Sequence, residues 1–119
     1  MTEPQSKKLK LTPVNVGILG CTGAVGQRFI QLLQSHPYFN IVALGASERS
    51  AGVAYSKATA WRLETPLPEK IGQLVVSTCE PKYFNQCALV FSALDSSVAT
   101  EIGFLKFILY LICNLNSKL

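Results

Sequence analysis

The sequence predicts an α/β fold with a doubly wound parallel sheet, and two observations support this prediction. Short, continuously apolar runs of strand length alternate with segments of helical periodicity, which is typical of a parallel sheet covered on both faces. Glycines are concentrated where the first strand passes into the first helix, in Gly17–Phe29 (GILGCTGAVGQRF). With 119 residues, 49% of them hydrophobic and 15% charged, the chain has the size and apolar content of one compact domain.

The first predicted strand leads directly into the first predicted helix. Residues Val14–Leu19 (VNVGIL) are apolar and partly β-branched and end at Gly20, which predicts a buried strand. Beyond the glycines the apolar residues recur at helical spacing, which predicts a helix with one apolar stripe facing the core. The stripe comprises Val25, Phe29, Leu32 and Leu33, and the residues mostly on the other side are Gln27, Arg28, Gln31 and Gln34.

The end of this helix is predicted at His36 and Pro37, because a residue that precedes proline is displaced from the α region. His36 is the only histidine, and we interpret it as a helix-end residue rather than a site residue. Asn40–Ala46 (NIVALGA) is predicted as a second apolar strand, which the polar, small-residue stretch SERSAG follows at once.

The second half of the chain is predicted to contain short elements before a third apolar strand. Ala54–Trp61 predicts a short helix, and Thr65–Gln73 (TPLPEKIGQ) predicts a loop because of its two prolines. Leu74–Ser77 is a candidate for a brief strand and Pro81–Asn85 for a helical turn. Ala88–Leu94 (ALVFSAL) predicts a buried strand. The N-cap candidates for a following helix are Asp95, Ser96 and Ser97.

The C-terminal segment differs in character from the rest of the chain. Ile102–Leu115 is apolar almost all round, and Lys106 is its one charged residue. As a helix this stretch would reach about 21 Å, short of the ~30 Å hydrocarbon core of a bilayer, so a membrane partner is not expected. We divide the chain into a loose polar tail (1–12), one domain (13–103) and a divergent apolar segment (104–119) whose structure the sequence does not determine.

Charge and cysteine content exclude several classes of protein. The formal net charge of +4 arises at the two ends, whereas Leu11–Gly103 is neutral, so no nucleic-acid partner is expected. The cysteines lack C-x-x-C spacing and do not cluster with His36, so we expect no metal site and buried, reduced thiols. The N-terminus has no apolar signal-peptide core, which favours a cytoplasmic location. The cysteines are Cys21, Cys79, Cys87 and Cys113.

The glycine-rich junction has the character of a dinucleotide cradle. Glycines at this point let the chain turn tightly, let a phosphate approach the backbone N–H groups, and let the helix pack closely on the strand. The helix N-terminus adds a partial positive charge where a pyrophosphate would bind. The spacing is G-x-x-G-x-x-G, offset from the commonest fingerprint, and a purely structural role of the glycines is the alternative. The cradle residues are Gly20, Gly23 and Gly26.

The end of the second predicted strand indicates which cofactor would bind. Arg49, flanked by Ser47 and Ser50, suits the 2′-phosphate of NADP through charge-assisted hydrogen bonds. Glu48 is suited instead to the ribose hydroxyls of NAD. We favour NADP, and a solvated loop in which Glu48 and Arg49 balance each other's charge is the structural alternative.

Three motifs in order, GILGCTGAVGQRF, ALGASERSAG and VFSALDSSVA, resemble the N-terminal part of aspartate-semialdehyde dehydrogenases, most closely their fungal and archaeal branch. The resemblance covers about Val14 to Glu101 and implies an incomplete, Rossmann-like NADP-binding domain over 13–103. It also places Trp61 where relatives carry a tryptophan, for which we favour core packing. The cofactor-binding residues that the resemblance implies, together with Gly20, are Thr22, Gly23, Ala24, Val25, Gly26, Ser47, Arg49, Ser50, Ser92, Ala93 and Leu94.

The resemblance further implies an oxidoreductase of amino-acid biosynthesis, which reductively dephosphorylates aspartyl phosphate to the semialdehyde. In that family a cysteine forms a thioacyl intermediate and a histidine moves protons. Neither His36 nor any of the cysteines here lies in the corresponding motif, so no catalytic residue is assigned and the enzyme assignment stays open. We hypothesise a truncated or mis-spliced product, or a gene-model artefact, that binds NADP and is inactive alone. Its uncovered apolar surface would promote self-association or aggregation.

Two alternatives belong to other functional classes. The first is a non-enzymatic NADP-sensing module of the extended short-chain reductase type, which also uses a T-G-x-x-G turn but has a further glycine where this chain has Phe29. The second is a tail-anchored membrane protein, for which Ile102–Leu119 would be the anchor.

Overall fold

The computed structural model describes residues 12–94. The predictions for the N-terminal tail, for Asp95, Ser96 and Ser97 as N-caps, for Cys113 and for the segment 104–119 fall outside the described residues.

Four parallel strands form the sheet, and they bear out the predicted fold class. They are β1 (Val14–Leu19), β2 (Phe39–Ala46), β3 (Ser77–Thr78) and β4 (Leu89–Ser92), in the spatial order β3-β2-β1-β4. The chain runs outward from β1 to β3 and then returns to pair β4 with the free side of β1. This reversal of direction makes the gap between β1 and β4 the switch point of a doubly wound sheet, where such folds place their ligands.

Short helical segments connect the strands. They are α1 (Ala24–Leu33), α2 (Tyr55–Ala58) and α3 (Glu69–Gly72), followed by a 3₁₀ turn at Pro81–Phe84. The first helix ends before His36, as the His-Pro pair predicts. The predicted short helix within 54–61 and the predicted turn within 81–85 are likewise present.

The predicted apolar stripe of α1 is partly wrong. Val25 and Leu32 are 60% and 61% exposed, whereas Gln27 is only 2% exposed. Helical spacing identified which residues share a face, but it could not show that a polar loop, 59–62, would pack against α1. Gln27 is buried because its amide is hydrogen bonded to that loop.

The segment 65–77 also differs from its prediction. Its predicted loop contains α3, because Pro68 lies at the N-cap, where a proline does not interrupt helical hydrogen bonds. The predicted strand Leu74–Ser77 is displaced. Val75 forms an antiparallel bridge with Ala54 instead, so only Ser77 and Thr78 pair with β2.

The sheet carries one apolar cluster on each face. On the first face Val16 and Ile18 of β1 pack with Ile30 of α1 and Tyr55 of α2. On the second face the buried residues are Leu19, Phe84 and Cys87. The alternation of β1 side chains between the two clusters follows from the period of two in a strand.

Phe84 packs closely against two strand glycines, within the cluster that also contains Leu19 of β1. A Cβ on Gly17 would lie 2.5 Å from Cδ2 of Phe84, and a Cβ on Gly45 would lie 2.9 Å from its Cζ. The ring therefore occupies the space that side chains at these two positions would take, and it covers part of the second face of the sheet at β1 and β2.

Within residues 12–94, no helix is both long and apolar enough to cross a membrane. The tail-anchored alternative concerns Ile102–Leu119, outside the described residues.

We predict that Phe84→Ala destabilises the domain by about 3–5 kcal/mol, because the cavity lies between two glycine-bearing strands that cannot fill it. Urea unfolding of the full chain would measure the change. Tyr83→Ala is the matched control, since this neighbouring ring is 44% exposed and its loss should cost far less. Equal destabilisation by the two substitutions would contradict the proposed packing role.

Candidate functional site

The carboxyl ends of β1, β2 and β4 meet at one edge of the sheet, and the turn between β1 and α1 is attached to both neighbours. The backbone N–H of Gly20 donates to the carbonyl oxygen of Gly45 in β2 at 2.8 Å. On the other side, the N–H of Ala93 donates to the carbonyl oxygen of Leu19 at 2.8 Å. The turn is therefore held on both sides by the strands that surround the switch point.

Gly20 and Gly26 are required by close backbone contacts. Gly20 has a φ of 75°, a conformation that favours glycine, and a Cβ there would lie 2.9 Å from the carbonyl carbon of Ala93. A Cβ on Gly26 would lie 2.1 Å from the carbonyl oxygen of Gly20. These two glycines let α1 begin directly against the ends of β1 and β4.

Gly23 has a different environment from the other two glycines. It is the N-cap of α1, it is exposed, and a Cβ built on it would meet no atom within 4 Å. The first-turn N–H groups of a helix have no partner within the helix, and glycine offers no side chain to cap them. With the partial positive charge of the helix end, this open N-terminus is suited to an anionic group.

The carbonyl groups of the turn are bound from the protein interior. The Tyr55 hydroxyl donates to the carbonyl oxygen of Cys21 at 2.6 Å, and the Thr59 hydroxyl donates to that of Thr22 at 3.0 Å. The Nε2 of Gln27 also donates to the Thr22 carbonyl, at 3.1 Å. In a planar trans peptide the N–H points opposite to the carbonyl, so the N–H groups of residues 22 and 23 point away from these donors, and that of Gly23 donates to the carbonyl oxygen of Gly20 at 3.4 Å.

Gln27 connects the turn to the loop that follows α2. Its Nε2 lies within hydrogen-bond distance of the Thr59 hydroxyl (3.2 Å) and the Ala60 carbonyl oxygen (3.1 Å). Its Oε1 accepts from the backbone N–H of Arg62 at 2.9 Å. Both ends of the buried amide are thus satisfied, which removes the penalty of burying it.

The polar residues after β2 form a tight turn. The N–H groups of Ser50 and Ala51 both donate to the carbonyl oxygen of Ser47, at 3.0 and 3.2 Å. Ser47, Glu48 and Arg49 are exposed. No ion pair joins Glu48 to Arg49, so the guanidinium is not neutralised by its neighbour.

The segment after β4 packs against the glycine turn. Ser92, Ala93 and Leu94 are all partly buried, and the backbone of Ala93 lies against Gly20. The N–H of Leu94 lies 3.3 Å from the Ser92 hydroxyl oxygen and donates to it. This small polar turn completes the edge on the β4 side.

The structure thus brings the predicted site residues to one edge of the sheet. The residues of the turn, Gly20–Gly26, contact the segment Ser92–Leu94 directly, and Ser47–Ser50 follow the strand to which Gly20 is bonded. His36 lies elsewhere, since it stacks on Phe39 at the start of β2 with ring centroids 4.6 Å apart. This placement confirms it as a helix-end residue.

Two cysteines border the turn from inside. Cys21 is fully buried, and burial, with a smaller contribution from the neighbouring Cys79, raises the pKa of its thiol from 9.0 to about 12. Burial also raises the pKa of Cys79, which is partly exposed, contrary to the expectation that the cysteines are buried. Neither environment favours a thiolate. Among residues 12–94 no cluster of histidine, cysteine or carboxylate side chains could hold a metal ion.

Sequence reasoning missed Tyr55, Thr59 and Gln27 as neighbours of the turn. Tyr55 and Thr59 are separated from the turn by 34 and 37 residues, and no motif links them to it. Gln27 offered a weak signal, because it directly follows the last cradle glycine. Trp61 packs on the same cluster as Tyr55, as predicted, with ring centroids 6.4 Å apart.

Comparisons with known proteins agree with this geometry. The family model "Semialdehyde dehydrogenase, NAD binding domain" matches residues 15–104. The aspartate-semialdehyde dehydrogenase of Schizosaccharomyces pombe is 55% identical over 87 residues, which cover 73% of this chain and 24% of the relative. That of Methanothermobacter thermautotrophicus is 44% identical over 89 residues, or 75% of this chain and 26% of the relative.

A solved structure is also similar. The crystal structure of aspartate semialdehyde dehydrogenase with NADP from Candida albicans has a TM-score of 0.73 and 50% sequence identity. The match covers 76% of this chain and 26% of that one. The chain thus spans about a quarter of the length of the relatives it matches.

We predict that the three cradle glycines differ in their tolerance of alanine. Gly20→Ala and Gly26→Ala should each lower the free energy of unfolding by about 1–3 kcal/mol or more, because their Cβ atoms collide with backbone. Gly23→Ala is the matched control and should cost no more than about 1 kcal/mol, the effect of alanine at an N-cap. Thermal and urea unfolding would compare them, and a Gly23→Ala variant as unstable as Gly26→Ala would refute the assignment.

We also predict a loss of stability at alkaline pH. The unfolded state loses the Cys21 proton near pH 9.0, whereas the folded state keeps it until about pH 12, so stability is fully present below pH 9 and falls above it. Burial raises the pKa of Tyr55 as well, which acts in the same direction. Between pH 9 and 10.5, wild type should lose about 1–2 kcal/mol more than Cys21→Ala. Parallel pH profiles from urea unfolding would argue against this linkage.

Proposed function

The chain belongs to the semialdehyde dehydrogenase NAD-binding domain family, and from this premise we propose that it binds NADP as the cofactor-binding part of an aspartate-semialdehyde dehydrogenase. The observation that carries the proposal is the glycine turn at Gly20–Gly26, which leads into α1 at the switch point of the sheet. The carbonyl groups of Cys21 and Thr22 in this turn are hydrogen bonded from the protein interior. An anionic diphosphate is the group that such a turn accepts best.

The diphosphate of the cofactor fits the exposed side of this turn. Gly23 presents no Cβ, and the space beside it is open. The N–H groups that begin α1, at Ala24, Val25 and Gly26, are available for phosphate oxygens, as is the hydroxyl of Thr22. Gly20 and Gly26 also shape the turn by allowing the close backbone packing, and Gly26 adds its N–H group to the proposed phosphate site.

The adenosine end of the cofactor is assigned to the turn after β2. Arg49 is exposed and not paired with Glu48, so its guanidinium is free to bind a 2′-phosphate in a bidentate manner. The hydroxyls of Ser47 and Ser50 would add hydrogen bonds to the same group. Glu48 would disfavour a phosphate if it pointed inward, and its exposure to solvent supports an outward position.

The nicotinamide end of the cofactor is assigned to the segment after β4. Ser92, Ala93 and Leu94 line the side of the switch point opposite the Ser47 turn, so a dinucleotide would extend across the glycine turn between the two segments. When bound, NADP supplies the hydride acceptor or donor of the reaction. The chain's residues bind and orient the cofactor.

The reaction we propose for the whole protein is the reductive dephosphorylation of aspartyl phosphate to aspartate semialdehyde. No described residue is assigned a catalytic role, because burial raises the pKa of the thiols at Cys21 and Cys79 and opposes the thiolate that this chemistry needs. The relatives reported above support a dehydrogenase origin and lend nothing to an NADP-sensing module. A cytoplasmic location and a tendency to self-associate remain proposals based on the sequence.

We predict that the full chain binds NADPH more tightly than NADH and that Arg49→Ala removes this preference. Loss of one charge-assisted contact to the 2′-phosphate should weaken NADPH binding about tenfold or more while leaving NADH binding nearly unchanged. Titrations followed by NADPH and NADH fluorescence would measure both affinities.

Arg28→Ala is the matched control for this experiment. Its guanidinium donates to Gln31, toward the C-terminal end of α1 and away from the glycine turn, so its removal should not alter the preference. A wild-type chain that binds neither nucleotide would refute the proposed function. Equal affinities for the two nucleotides would refute the assignment of Arg49 and its serines to the 2′-phosphate.

A further inference from the structure

We propose that Tyr55, Thr59 and Gln27 are positioning residues that orient the peptides of the glycine turn for a diphosphate ligand. We call these three side chains the rear clamp. This inference rests on the proposed function, because it assigns to the rear clamp a part in binding the pyrophosphate of the same cofactor. None of the three is expected to touch the cofactor.

The contacts of the rear clamp converge on two successive carbonyl groups. The Cys21 carbonyl oxygen accepts from Tyr55 at 2.6 Å, and the Thr22 carbonyl oxygen accepts from Thr59 at 3.0 Å and from Gln27 at 3.1 Å. The Tyr55 side chain is fully buried and Gln27 is 2% exposed. Three donors from two parts of the chain, α1 and the segment 55–59, thus bind one two-residue stretch of the backbone.

These hydrogen bonds determine whether the carbonyl oxygen or the N–H group of each peptide faces the ligand side. A carbonyl oxygen that pointed toward a diphosphate would repel it, whereas an N–H group attracts it. Because the Cys21 carbonyl is bound from the interior, the N–H of Thr22, which shares its peptide plane, points outward. The peptide that joins Thr22 to Gly23 is held at both ends, since its carbonyl accepts from the rear clamp and its N–H donates to the carbonyl oxygen of Gly20 at 3.4 Å. The turn contains glycines, which have more conformational freedom than other residues, so these hydrogen bonds help to fix the orientation of its peptides.

Packing alone would not require the polar groups of the rear clamp. A buried hydroxyl or amide costs free energy unless it is hydrogen bonded, and phenylalanine, valine or leucine would fill nearly the same volumes. The polar atoms are nevertheless present, and the Tyr55 hydroxyl and part of the Gln27 amide bind the turn. Gln27 also holds the loop that carries Thr59, so the three side chains form one connected network.

The test uses the full chain and two ligands that differ in how much of the proposed cofactor site they occupy. NADPH spans the glycine turn, whereas adenosine 2′-monophosphate carries only the part that the Ser47–Ser50 turn would bind. Tyr55→Phe and Thr59→Val each remove one hydroxyl with little change in volume. We expect each to weaken NADPH binding about fivefold to tenfold, the effect of one lost hydrogen bond, and to leave binding of the monophosphate within about twofold of wild type.

Two control variants separate positioning from general structure. Thr59→Ser keeps the hydroxyl and should retain the NADPH affinity of wild type. Gln31→Leu, compared with Gln27→Leu, removes an exposed amide on the same helix that donates to Thr65 at 2.8 Å and has no contact with the turn. Only the Gln27 substitution should reduce NADPH binding. Thermal unfolding of every variant would identify any that fails to fold, and the Thr59→Val and Thr59→Ser pair carries the test if Tyr55→Phe is unstable.

The outcomes distinguish this proposal from the proposed function. A wild-type chain that binds neither NADPH nor the monophosphate removes the proposed function and the positioning role with it. If wild type binds both ligands and the clamp variants bind NADPH equally well, the positioning role is overturned and the proposed function stands. Equal losses for both ligands would show that the rear clamp is structural only.

Discussion

The fold depends on the close backbone contact at which β1, β4 and α1 meet. Gly20 lies against the backbone of Ala93, and Gly26 lies against the carbonyl of Gly20, so any side chain at either position would force these elements apart. A separation there would break the hydrogen bond from Ala93 to Leu19, which fixes β4 beside β1. The same contact creates the switch point, because the ligand edge of a doubly wound sheet exists only where strands from both halves adjoin.

The interior behind this contact is mostly apolar but contains the buried amide of Gln27. The Gln27 side chain of α1 is buried, whereas those of Val25 and Leu32 on the same helix are exposed. The burial of Gln27 is tolerated because every polar group of its amide is hydrogen bonded. On the other face of the sheet, the apolar ring of Phe84 packs against two strand glycines. The second face is thus packed by this ring together with the side chains of Leu19 and Cys87.

The two cofactor assignments rest on different physical grounds. The diphosphate site that we propose is made mainly of backbone and depends on the shape of the turn, so we expect substitutions far along the chain, such as at Tyr55, to alter it. The proposed 2′-phosphate site is made of the exposed side chains of Ser47 and Arg49 and the partly buried Ser50 on a short turn, so we expect the nucleotide preference to depend on these residues. Selectivity between nucleotides can therefore change without disturbing the fold, whereas affinity for the diphosphate is coupled to it.

Local pattern in the sequence determined the strands β1 and β2, the helix α1 and the glycine turn before that helix, because each depends on residues adjacent along the chain. It also identified Trp61 as a core residue and His36 as a helix-end residue. Tertiary structure alone decided that Gln27 is inside and Val25 outside, that Val75 pairs with Ala54 rather than β2, and that Tyr55 reaches Cys21. These features depend on contacts between distant segments, and periodicity reports which residues share a face but not which partner that face will meet.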